Sequence, residues 1–207
     1  MLNTLLHINE SNGLQVVVAE FSEIKNSLLQ TFYSTQEQQE FEVLSSEKRQ
    51  AERAATLFLL HDFFGIKNAL HHHSGGAPYL AESNVNISIS HTQKIVAIAL
   101  HPTQKVGVDV ENTQRNFGCV AARFLSDKEK EFCTTQTLQC LAWCAKETIF
   151  KIANEQGVDF ASQIILEKFE EKNEGEILAH FFGKEKNKSC NLRYHLIGNR
   201  ALTYCIS

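Results

Sequence analysis

An α+β fold is predicted for this chain: two similar α/β halves related by a pseudo-two-fold, each a small, mainly antiparallel sheet packed on a long helix. Three observations predict it. Short alternating or continuous apolar runs recur between turn-forming residues. Two long helical patterns interrupt them, one ending near Gly65 and one containing Trp143. The two stretches also echo one another at a constant spacing of 92 residues. Ser34-x-x-Glu37 returns as Ser126-x-x-Glu129, Thr56-Leu57-Phe58 returns as Thr148-Ile149-Phe150, and Gly65 returns as Gly157. The expected halves are residues 1–103 and 104–207, with a concave site where they meet.

Taken in order, Leu14–Ala19 reads as a strand, followed by a short helix that Ser34-Thr35-Gln36-Glu37 opens as a capping box. Ser45 or Ser46 caps the next helix, which is apolar nearly all round beyond Thr56 and so belongs in a core. Gly75-Gly76-Ala77-Pro78 is a turn. Val85–His91 alternates as a half-buried strand, and a tight turn at Thr92-Gln93-Lys94 leads to Ile95–Leu100, apolar throughout as in a central strand. Ser126-x-x-Glu129 opens a charged helix, and the Trp143 helix follows. Ile164–Leu166, Ile177–Phe182, Leu192–Ile197 and Ala201–Ile206 read as antiparallel strands joined by solvated, charged turns.

The 207 residues can bury a full core, and 43% hydrophobic with 21% charged residues is ordinary globular composition. A net charge of -4 gives no basis for nucleic-acid binding. No leader-like start is seen, and no apolar run approaches the roughly 20 residues needed to span a bilayer. Expected, therefore, is a cytoplasmic protein with no membrane and no nucleic-acid partner. The six cysteines contain no C-x-x-C and read as reduced, mostly buried thiols. His71-His72-His73, followed by Ser-Gly-Gly, reads as a polar loop.

The chemistry concentrates in two stretches. In Val106-Gly107-Val108-Asp109-Val110-Glu111, period-two alternation puts Asp109 and Glu111 on one strand face, roughly 6 to 7 Å apart. Two such acids repel unless a cation lies between them, and oxygen-only ligands suit Mg2+. In the Trp143 helix, Leu138, Leu141, Ala145, Ile149 and Ile152 form an apolar stripe, with Trp143, Glu147, Phe150 and Lys151 opposite. At the positions 92 earlier than Lys146, Glu147 and Lys151 stand Ala54, Ala55 and Leu59. The charged set thus exists in one copy alone, which points to a task beyond packing. Asp109, Glu111 and Glu147 can hold Mg2+, Lys146 and Lys151 add compact positive charge, and a diphosphate substrate suits the set.

Gly107-Val108-Asp109-Val110-Glu111 followed by Trp143-x-x-Lys146-Glu147-x-x-x-Lys151 resembles the paired motifs of the 4'-phosphopantetheinyl transferases. Ile87-Ser88-Ile89-Ser90-His91-Thr92 resembles the Ser-His motif of the Sfp-type members, whose single chain is a pseudodimer. The resemblance implies transfer of phosphopantetheine from coenzyme A to a serine of an apo-acyl or peptidyl carrier protein. It implies that Asp109 and Glu147 ligate Mg2+, with Glu111 direct or through water. Glu147 or a metal-bound water then removes the serine proton, Lys151 balances phosphoryl charge and Lys146 assists. It further implies that Ser90 and His91 hold coenzyme A phosphates, that Gly76 and Pro78 lie beside the adenine, and that Lys48 and Arg49 are candidates for the 3'-phosphate.

Two departures weaken expected phosphate contacts. Ala77 replaces a lysine between Gly76 and Pro78, and Leu57 stands where an arginine is usual. The alternative is a degenerate relative that binds coenzyme A or a carrier without transfer. Arg123–Lys128 offers basic and apolar groups to an acidic carrier.

Overall fold

The computed structural model describes residues 2–22, 35–67, 69–184 and 186–207. Ser34, and with it half of the first predicted capping box, lies outside them. Among the described residues the fold is mixed, with antiparallel sheets and few helices. The chain opens with β1 (Leu2–Asn9) and β2 (Gln15–Phe21), then α1 (Thr35–Glu42) and α2 (Glu47–Phe58), which widens into a π-helical turn over Leu59–Phe63. A ribbon of β3 (Leu70–His72) and β4 (Pro78–Leu80) follows, then β5 (Asn86–Thr92) and β6 (Ile95–His101). β1, β2, β6 and β5 form one sheet, in the order β1-β2-β6-β5.

After the short link 102–105 come β7 (Val106–Asn112), a 3₁₀ turn at Ala121–Arg123, α3 (Asp127–Phe132), α4 (Gln136–Ala153) and α5 (Phe160–Gln163). Then β8 (Ile164–Leu166), β9 (Glu174–Phe182), β10 (Asn187–Ile197) and β11 (Arg200–Ile206) complete a five-stranded sheet, β7-β11-β10-β9-β8.

Three apolar clusters order these elements. Val17, Ala19, Val96 and Ile98 pack with Ala55, Leu57, Leu59 and Leu60 of the α2 region. Val16, Val18, Ile95 and Ala97, on the other face of the same sheet, pack against Val106, Val108, Val110, Leu202 and Tyr204. Leu141, Ala145, Ile149 and Ile152 of α4 pack with Ile177, Leu192, Ala201 and Cys205 of the second sheet. Alternation along β2, β6 and β11 lets each of these strands serve two clusters, while β7 gives Val106, Val108 and Val110 to one cluster and carries Gly107, Asp109 and Glu111 on its other face.

Local chemistry sets the helix ends. Ser126 closes its capping box on α3, its hydroxyl accepting from Glu129 N (3.3 Å) while Glu129 Oε2 accepts from Ser126 N (2.7 Å). Thr135 caps α4 through Leu138 N at 3.1 Å. The stop of α4 is Asn154, left-handed at φ 49°, and not Gly157, which lies three residues beyond. Asparagine tolerates that conformation because its short amide bonds locally. The His71–His73 region is not wholly a loop, since Leu70–His72 pairs with Pro78–Leu80. Five of the six thiols are buried, Cys119 is exposed, and all are free. No helix among the described residues is long and apolar enough to cross a membrane.

Candidate active site

Strands β5 and β7 are the facing edges of the two sheets, and β7 carries the acids. Across this seam the contacts run through hydroxyls. Ser88 Oγ accepts from Val108 N (3.1 Å) and Ser90 Oγ from Val110 N (3.3 Å). Ser90 Oγ donates to Asp109 Oδ1 and Thr92 Oγ1 to Glu111 Oε1, each at 2.7 Å. Asp109 is 7% exposed. Glu111 also accepts from Asn112 N at 2.8 Å and pairs with Arg115, whose guanidinium lies 5.0 Å from the Phe117 ring and 5.4 Å from the Trp143 ring.

Gly107 brings α4 over these acids. A Cβ there would stand 2.5 Å from Thr148 O and 2.8 Å from Ile152 Cγ1, so only glycine lets the helix backbone approach β7 this closely. Thr148 Oγ1 meets Thr203 Oγ1 of β11 at 2.7 Å and fixes the same crossing. Lys151 Nζ thereby donates to Val108 O and to Asp109 Oδ1, each at 2.8 Å. Burial, Asp109 and, more weakly, Glu111 push the Glu147 carboxyl up to about 6, against the opposing pull of Lys151 and Arg115.

These three carboxylates are an oxygen-only donor set, and two of them raise the proton affinity of the third. That chemistry fits a hard divalent cation. As the side chains stand, Asp109 faces Lys151 and Ser90, and Glu111 faces Arg115. Among the described residues no three acidic, His or Cys side chains are grouped closely enough to hold an ion in that arrangement.

Lys146 requires a correction. It was expected to assist at the phosphates, but its ammonium is fully buried and held by other groups. Its Nζ donates to Glu129 Oε2 (2.8 Å), to Phe160 O (2.9 Å) and to Ile164 O. An ammonium has three hydrogens, and all three have acceptors here. Burial lowers its pKa, and Glu129 opposes the shift. Lys146 ties α4 to α3, α5 and β8.

Two adjoining hollows, of about 230 and 290 Å3, share Gly76, Pro78 and Ile89. The first runs to Phe150, Lys151 and Asn154, and the second to Arg49, Arg53, Thr56, His72 and His91. Gly76 has φ +86°, which suits its place in the turn between β3 and β4. Arg49 and His91 thus share a groove with Gly76 and Pro78, whereas Lys48 is exposed and ion-paired with Glu52 at 3.6 Å. Thr56 gives its only hydroxyl hydrogen to Glu52 O (2.9 Å), so His91 Nε2–H donates to Thr56 at 2.8 Å. Burial, reinforced by Lys151, lowers the His91 pKa to about 4 and keeps the ring neutral near pH 7.

Sequence reasoning passed over Arg53, Arg115 and Thr92. Arg53 donates to Glu40 Oε2 (3.0 Å) and Leu70 O (2.7 Å) at the groove wall, while Leu57, one turn on, is buried in the core. The spacing Arg49–Arg53–Thr56 places all three on one helical face, a signal that was available.

The acids, the lysine and the helix that carries them all fall in one recognisable stretch. Residues 105–205 match the family model of the 4'-phosphopantetheinyl transferase superfamily (ACPS). The match covers just under half of the chain. This superfamily segment holds Asp109, Glu111, Glu147 and Lys151, whereas the groove residues on α2 and β3–β5 precede it. No curated protein matches the chain.

Proposed function

We propose that this protein carries out Mg2+-dependent transfer of 4'-phosphopantetheine from coenzyme A to a serine of an acyl or peptidyl carrier protein, the holo-carrier synthase reaction. One observation carries the reading. Asp109 and Glu111 on β7 and Glu147 and Lys151 on α4 are carried by two elements that Gly107 brings together, beside hollows lined by Arg49, Arg53, His91 and Lys151, within or next to the segment that matches the superfamily.

Asp109, Glu111 and Glu147 would hold the cation. Bound Mg2+ would neutralise the diphosphate and stabilise the departing phosphate. Glu147 would take the serine proton as general base. Lys151 supplies a fixed positive charge where phosphoryl charge develops. Arg49 and Arg53 offer guanidinium groups to the 3'-phosphate, and Gly76 and Pro78 leave room for the adenine. A phosphate beside His91 favours its protonated, donating form. With Ala77 in place of lysine, the cations of α2 carry more of the phosphate binding.

Residues 1–103 and 104–207 are read as two halves related by a pseudo-two-fold, as in the Sfp-type pseudodimer, and the protein as a cytoplasmic monomer. The 92-residue echoes support the division. A second reading, a relative that binds without transfer, is favoured by the pairing of Asp109 with Lys151 and of Glu111 with Arg115.

Incubation with Mg2+, coenzyme A and apo-carriers of several pathways separates the two. The transferase reading expects a carrier mass gain of one phosphopantetheine and its loss in Asp109→Ala or Glu147→Ala with the fold intact. No gain on any carrier supports the binding-only relative.

A further inference from the structure

Ser90 is the position that the resemblance assigns to coenzyme A phosphate, yet its hydroxyl is otherwise engaged. A serine has one hydroxyl hydrogen. That hydrogen goes to Asp109 Oδ1 at 2.7 Å, while the oxygen accepts from Val110 N at 3.3 Å. The side chain is buried, at 7% exposure. Thr92, two residues on and on the same strand face, repeats the arrangement with Glu111 Oε1 at 2.7 Å and is also buried. Ser88, two residues before, meets only the β7 backbone among these bonds, at Val108 N. The period of two along β5 thus matches the period of two that separates Asp109 from Glu111, one hydroxyl to each acid.

We infer that Ser90 and Thr92 are positioning residues, which fix the carboxylates of Asp109 and Glu111 for a divalent cation and do not bind coenzyme A. The hydroxyls come from one sheet and the acids from the other, so the site is assembled across the seam. Each hydrogen bond limits rotation of a carboxylate and so lowers the entropic cost of presenting its oxygens to the ion. Partners of this kind behind metal-ligating carboxylates typically change metal affinity by about 10- to 100-fold when removed. The inference rests on the proposed metal role of the acids.

The test is Mg2+ binding by calorimetry on the whole protein, with neither coenzyme A nor carrier present, so the transfer reaction does not enter. Ser90→Ala and Thr92→Val are expected to raise the Mg2+ Kd by about 10-fold. Thr92→Ser, which keeps the hydroxyl, should restore it. Ser88→Ala should lower thermal stability while keeping the Mg2+ Kd within about twofold. At saturating Mg2+, the KM for coenzyme A should be unchanged in Ser90→Ala.

An unchanged Mg2+ Kd in both variants, or a raised KM for coenzyme A with metal affinity intact, overturns the inference and leaves the transferase reading standing. Absence of Mg2+ binding in the unaltered protein also overturns it, and the carrier mass assay then decides the transferase reading by itself. Should Ser90→Ala fail to fold, Thr92→Val and Thr92→Ser carry the comparison.

Discussion

Glu37 and Glu129 stand 92 residues apart, both fully buried, each just ahead of a longer helix. Each accepts a strand amide, Glu37 from Leu70 N at 3.2 Å and Glu129 from Leu166 N at 2.8 Å. They differ in the nearby cation. Glu129 receives Lys146 from α4 at 2.8 Å, whereas Glu37 has His61 Nε2 at 3.6 Å and the position 92 before Lys146 is Ala54. A buried acid is kept in both places, but at α4 its counter-charge is the lysine that immediately precedes Glu147, while Glu37 lies in the field of Arg53 of α2. Lys146 immediately precedes Glu147, so the ion pair that anchors the helix also fixes where Glu147 points. Helix α2 turns Arg49, Arg53 and Thr56 to the groove.

The largest expected effect tests that anchor. Lys146→Met leaves Glu129 charged and buried without its lysine, which should cost about 3–5 kcal/mol in urea unfolding. Combining it with Glu129→Gln, which keeps the acceptor for Leu166 N, should recover much of the loss. A cost below about 1 kcal/mol for Lys146→Met would dissolve the contrast.

Next in size is Gly107→Ala. The added methyl meets the Thr148 carbonyl of α4, a backbone atom that cannot swing away, and the cost should be about 1–3 kcal/mol. The position 92 earlier is Gln15, so the α2 side has no such constraint. Unfolding curves for both Gly107→Ala and Gln15→Ala would show whether close approach belongs to α4 alone.

A smaller, pH-dependent effect follows from Glu147. Its folded pKa, about 6, lies above the ordinary 4.5, so ionisation disfavours the folded state. The penalty is absent below pH about 4.5, grows between 4.5 and 6, and is complete above that. Glu147→Gln should therefore raise the melting temperature of the metal-free protein at pH 7.5. The gain should shrink through pH 6 and disappear near 4.5. A gain independent of pH would remove the buried, ionised Glu147 carboxylate as its cause.

The smallest effect concerns the groove. Arg49→Ala should weaken coenzyme A binding by about 0.5–1 kcal/mol, as befits an exposed cation, with a shallower salt dependence. Lys48→Ala, facing solvent, should change it less. Calorimetric titrations at two salt concentrations would rank them.

Much of this was legible in the chain. Alternation revealed β5, β7 and their acids, and continuous apolar residues revealed β6. The 100° rule placed Glu147 and Lys151 on one face of α4. What escaped depends on distant residues. β1 was hidden because its register shifts between Thr4 and Leu6, which breaks alternation across adjacent Leu5 and Leu6. The three residues of β3 are too short for a periodic signal. Lys146 looked available because only its own helix was considered, and α3, α5 and β8 close over it. Gly107 looked like an alternating small residue, and its reason lies 41 positions away at Thr148. Thr92 was read as part of a turn, which its backbone borders, while its side chain serves Glu111.

Outer strands of open sheets are exposed to recruitment by other chains, because their unpaired amides can template a new strand. β5 and β7 each end a sheet, and the amides of Val108 and Val110 on β7 are taken by Ser88 and Ser90. The same row of small hydroxyls therefore occupies amides that would otherwise be open to pairing. Cutting it back to alanine would bare a ready strand border beside Asp109 and Glu111, and such a protein should form intermolecular aggregates on storage sooner than its parent.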